Sequence, residues 1–63
     1  MTLTRDERRD VAAIFREIEL LAREGKEAMR RDPAPLPAVI IFAKSIQEQA
    51  TLAIQRLVRD TVD

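Results

Sequence analysis

The chain contains no cysteine, no histidine, no tyrosine and no tryptophan. Without cysteine there is no disulfide to staple the fold, and nothing that points to an oxidising compartment. Without cysteine and histidine, a structural zinc site has none of its usual ligands. A Ser–His or Cys–His nucleophile pair has no imidazole. Ser45 is the only serine, so nothing is present to activate it. Lysine is scarce as well: Lys26 and Lys44 are the only two. Lys44 adjoins an apolar stretch, and a desolvated catalytic lysine is one reading of it. A surface lysine laying its stem along that stretch is the simpler one.

Long apolar runs are also missing. The longest, Ala38 to Ala43, falls far short of the roughly 20 residues that span a bilayer. The start of the chain, Met1 to Asp10, has no apolar run of the kind a signal peptide needs. The expectation is a cytoplasmic protein with no membrane association.

Charge of one sign is absent too. Eleven Lys and Arg balance eleven Asp and Glu. Each half is neutral by itself: eight cations and eight anions precede Pro33, and three of each follow Pro37. A chain balanced in this way has no bulk attraction to nucleic acid or anionic lipid.

What is present is helical periodicity. Thr4 followed by Glu7 fits a capping box, in which each residue's side chain satisfies the other's amide. Asp6 and Glu7 then lie in a first turn and Arg30 and Arg31 in a last turn, both favourable to the helix dipole. Between them Val11, Ile14, Ile18, Leu21, Gly25 and Ala28 form a heptad seam, widened on one side by Phe15, Ala22 and Met29. This predicts a first helix over about 4–31.

Asp32-Pro33-Ala34-Pro35-Leu36-Pro37 follows. Each proline disfavours the helical conformation in the residue before it, so no helix passes through. The prolines lie two apart and offer no PxxP spacing, so a stiff turn over 32–36 is expected. Pro37 suits the first position of a second helix, where its missing N–H costs nothing. That helix is expected over about 37–61. Val39, Phe42, Ala43, Ile46, Ala50, Ala53, Ile54 and Leu57 share one face of it. Two helices of matched length and a short connection form an antiparallel hairpin, a single all-α domain spanning 1–63.

The hairpin has more apolar surface than its own seam needs. Ile40 and Val58 lie about 100° from the centre of the second helix's stripe, with Val62 beyond, and Ile41 and Leu52 lie nearly opposite. Leu20 points away from the seam of the first helix. Val39-Ile40-Ile41-Phe42 is apolar all round, which usually means buried all round. A single core in a chain below about 70–80 residues supplies only about 3–5 kcal/mol. Self-association is the remaining staple, and a homodimer forming a four-helix bundle is expected, with a higher oligomer or a complex with a different protein as the alternatives. Val39, Ile40, Ile41, Phe42, Ile46, Leu52, Val58 and Leu20 are the candidate interface. The architecture resembles the small plasmid-encoded RNA-binding helical hairpins that dimerise into four-helix bundles. That likeness is one of fold, and no motif is shared.

Gly25, the only glycine, falls on the seam, either to let a bulky neighbour such as Phe42 approach or as a weak point in the helix. Gln49 flanks the seam of the second helix, where a polar side chain can set register. Glu17, Glu19, Glu24, Glu27 and Glu48 lie off the seams, so no inward carboxylate cluster and no metal or other cofactor is expected. Arg9, Arg16, Arg23 and Arg30 recur every seven residues and line the outside of the first helix. They are the candidate nucleic-acid contact. Against that, Asp6–Arg9, Arg16–Glu19, Glu19–Arg23 and Glu27–Arg31 are spaced to pair on the helix surface. The expected function is a non-enzymatic protein–protein interaction module: a regulator, adaptor or chaperone-like subunit acting as a homo-oligomer. Nucleic-acid binding along the arginine row and a purely structural oligomerisation element are the alternatives.

Overall fold

A computed structural model describes the backbone of residues 3–62 and the side chains of residues 3–59. Val62, grouped above with the surplus apolar residues, has its side chain outside that range. Two helices make up the described chain: α1, Arg5–Met29, and α2, Leu36–Val62.

The start of α1 follows its local chemistry. The Thr4 amide donates to Glu7 Oε1 at 2.7 Å, and the Glu7 amide donates to Thr4 Oγ1 at 3.1 Å. Two of the four amides that a helix start leaves without partners are thereby satisfied. At the other end the Arg30 and Arg31 amides donate to the carbonyls of Glu27 and Ala28. This tightens the last turn to an i→i+3 pattern. Residues 30–35 make the connection, within which the Asp32–Pro33 peptide bond is cis. The Val39 amide donates to the Pro35 carbonyl and closes the first turn of α2. That places Leu36 first in the helix and Pro37 second, one position later than expected. Pro37 still falls among the first four residues, whose N–H groups have no intrahelical partner, so its lack of one remains harmless.

The helices pack against each other along their length as an antiparallel hairpin. Asp10, early in α1, meets Arg56, late in α2, at 3.5 Å. Gly25, late in α1, faces Phe42, early in α2. Between these points the seam of α1 is the one its heptad indicates. Val11, Ile14 and Ala28 are buried, and Ile18, Leu21 and Gly25 are half-buried. In α2 the inward line is Val39, Phe42, Ile46, Gln49, Ala53 and Leu57, flanked by Ala38, Ser45 and Ala50, which are also half-buried. Gln49 thus sits on the seam rather than beside it. Ala43 and Ile54, expected on the inward stripe, are exposed. A two-helix contact accepts only a narrow strip of each helix, and these two residues lie one step round from it.

The result is a rod, 48 × 17 × 11 Å, with a Cα radius of gyration of 14.7 Å. A compact 63-residue domain has a radius of about 10.6 Å. Its solvent-accessible surface, 5348 Å², likewise exceeds the roughly 4100 Å² expected of a folded monomer of this mass. Among the described residues the buried apolar side chains are Val11, Ile14, Ala28 and Ala53, and two of those are only alanines.

Candidate interaction surface

A hairpin of two helices has two broad faces. In each helix, the residue after a seam position turns toward one face and the residue before it toward the other. Because the helices run antiparallel, the turn is in the same sense for both. The residues following the seam therefore share one face, and those preceding it share the opposite one.

On the first face α1 places Phe15, Ala22 and Met29, and α2 places Ile40, Ala43, Ile54 and Val58, with Leu36 at its start. All are exposed. Phe15 retains 50% of its surface, Met29 55%, Leu36 59% and Ile54 59%. Between the two rows runs a shallow groove lined by Ala22, Gly25, Lys26, Met29, Val39, Phe42, Ala43 and Ile46. Lys26 is its one charged member and lies on its outer edge. Of the polar residues on this face, Glu19 and Lys26 sit toward its α1 margin, while Gln47 lies in the α2 row between Ile40 and Ile54. Large side chains occupy both ends of the face, while Ala22 and Ala43 occupy the middle.

The opposite face is charged along α1 and mixes polar side chains with Ile41 and Leu52 along α2. Asp10, Glu17 and Glu24 form a row on α1, and Ser45, Glu48 and Arg56 lie on α2. Arg56 donates to Asp10 Oδ2 at 3.5 Å. The four pairs suggested by sequence spacing do not close to within 4.0 Å; Glu27 instead pairs with Arg30 at 3.3 Å. Both partners of that pair are well exposed, so its contribution to stability is small. Glu27, Arg31, Pro35 and Ala38 line a shallow depression at the turn end of this side.

This geometry divides the eight interface candidates. Val39, Phe42 and Ile46 are half-buried in the hairpin's own seam and reach the groove with their outer edges. Ile40 and Val58 stand on the apolar face. Ile41 and Leu52 lie on the charged side, and Leu20 on the outer flank of α1, all exposed. The grouping around Val39–Phe42 thus joins residues that point in different directions. Phe15, Met29, Leu36 and Ile54 stand outside that grouping, and Phe15, Ala22 and Met29 carry a seven-residue spacing of their own. That spacing was visible in the sequence as a widening of the stripe, and antiparallel packing turns it into half of a shared surface.

Arg9, Arg16, Arg23 and Arg30 are all exposed along the outside of α1. Arg30 is the one engaged by a carboxylate; Arg9, Arg16 and Arg23 have none within 4.0 Å among the described side chains. On α2 the Thr51 hydroxyl donates to the Gln47 carbonyl at 2.9 Å, so its polarity is spent within its own helix. No group of carboxylates among the described residues is placed to hold a metal ion. No helix among them is long and apolar enough to cross a membrane. No family model, no curated protein and no solved structure matches the chain.

Proposed function

We propose that this chain is a small protein–protein interaction module that works as a homo-oligomer, without catalysis of its own. The observation that carries this reading is the mismatch between apolar surface and core. Among the described residues nine large apolar side chains stand exposed, while only four residues are buried. Burying a side chain of this kind is worth roughly 1.5–3 kcal/mol. A partner that covers several of them therefore contributes as much as the whole intrachain core of a domain this small. Regulators, adaptors and chaperone-like subunits use helical surfaces in this way.

Native mass spectrometry of the purified chain, together with a pull-down from its own cells, tests the proposal. The expected result is a mass at least twice 7.2 kDa, with a specific protein co-purifying. Self-association without any co-purifying protein reduces the module to a structural oligomerisation element. A monomer with no partner at any concentration overturns the proposal.

One observation keeps the nucleic-acid reading in view: Arg9, Arg16 and Arg23 lie on an exposed helix edge with no carboxylate partner among the described side chains. A row of this kind can follow a phosphate backbone. The adjoining Asp10, Glu17 and Glu24 row weakens its field. A mobility shift with RNA or duplex DNA at low salt, lost as salt rises, supports this second reading. No shift at low salt removes it.

A further inference from the structure

We propose that the occupant of the apolar face is a second copy of this chain, laid face to face so that the two hairpins complete a four-helix bundle. This rests on the homo-oligomer reading above and deepens it by assigning one of the two broad faces to the interface.

Three observations support the assignment. The first is area. The molecule extends 48 Å by 17 Å across its broad faces, a footprint of the same order as the roughly 800 Å² of accessible surface that each partner buries in a standard-size interface. The excess of accessible surface over a compact monomer of this mass is of the same order, about 1200 Å².

The second is the chemistry of the two faces. A two-fold interface brings each surface against its own copy. On the charged face this sets the Asp10–Glu17–Glu24 row in a shared, partly dry layer with its duplicate. Carboxylates lose hydration there, and Arg56 is already paired with Asp10. On the apolar face the same operation sets Phe15, Met29, Leu36, Ile40 and Ile54 against residues of like kind, with Gln47 as the one uncharged polar side chain among them and Glu19 and Lys26 at the rim. That is the usual distribution in a protein interface, an apolar centre within a polar margin.

The third is shape. Alanines in the middle of the face and the groove beside Ala22 and Ala43 leave space for a partner's side chains to enter. Close-packed bundle cores form in this way, by side chains filling gaps on the facing helix.

Because the chain has no cysteine, a single introduced thiol reports on one position alone. Ala43 and Ala13 are both exposed alanines on opposite sides of the hairpin, so Ala43→Cys and Ala13→Cys change little in the fold. Maleimide labelling is followed at a concentration where sedimentation shows the chain to be associated, and again after dilution. The expected result is Ala43→Cys labelled about tenfold more slowly than Ala13→Cys in the associated sample, with the difference vanishing on dilution. Equal labelling rates in an associated sample overturn the face assignment and leave the homo-oligomer reading intact. A chain that sediments as a monomer throughout overturns both. As a second measurement, Ile54→Asp is expected to shift the sedimenting mass toward 7.2 kDa while Leu52→Asp is not. Loss of association by Leu52→Asp alone, with helicity retained by circular dichroism, places the interface on the charged side and also overturns the assignment.

Discussion

Phe42 Cβ lies 3.9 Å from the point where a Cβ on Gly25 would stand. That is an ordinary van der Waals separation, so an alanine fits at this position of the seam without displacing α2. Of the two sequence readings of Gly25, required close approach and tolerated weak point, the second holds for the hairpin contact.

Gly25→Ala is therefore expected to stabilise the protein. The gain in helix propensity is up to about 1 kcal/mol. For a domain of this size that raises the thermal midpoint by roughly 4–8 °C. Thermal unfolding followed by circular dichroism measures it. A midpoint lower than that of the parent would mean that the added methyl group clashes after all.

Thr4→Ala removes one member of the reciprocal cap at the start of α1. The Glu7 amide loses its acceptor, while the Glu7 side chain still accepts from the amide of residue 4. The expected cost is about 1 kcal/mol. Urea unfolding checks this through a lower midpoint with an unchanged slope. Thr4→Ser, which retains the hydroxyl, should recover most of the loss.

Ile14→Ala strikes the small enclosed core. Ile14 is 7% exposed, one of only two large side chains among the enclosed residues. Truncations of this type cost about 2–5 kcal/mol. In so small a domain that is comparable with the total stability, so the variant is expected to lose most of its helical signal at 25 °C. Phe15→Ala removes the side chain next along the chain, which is half-exposed. It should affect self-association more than helicity at concentrations where the chain is monomeric.

The Asp10–Arg56 pair joins the open ends of the helices at 3.5 Å, with both side chains about half exposed. A double-mutant cycle with Asp10→Asn and Arg56→Gln should give a coupling of at most about 1 kcal/mol. That coupling should shrink with added salt. A coupling several times larger would identify the pair as the main determinant of helix register. The packing of the seam makes that role unnecessary.

How much of this was legible beforehand depends on the range over which each feature is decided. The Thr4–Glu7 cap involves residues three apart and was readable as it stands in the fold. So was the break at Pro33 and Pro35, because each proline acts on its immediate neighbour. The heptad from Val11 to Ala28 named the buried line of α1 correctly, since most of its flanks are charged and leave one choice of inward strip. On α2 the apolar positions spread too widely around the helix for that. Ile46 and Ile54 look alike in sequence, yet one is half-buried on the seam and the other 59% exposed.

The sequence by itself therefore determined two helices, the cap, the turn and the seam of α1, because each of these is set by neighbours within about one or two turns. The tertiary structure alone decided which strip of α2 faces inward, since that depends on the surface α1 offers it. It also decided that Phe15 and Met29 share a face with Ile40 and Ile54, while Ile41 and Leu52 turn to the charged side. That sorting follows from the antiparallel direction and register of two packed helices, and a helical wheel drawn for either helix alone does not contain it.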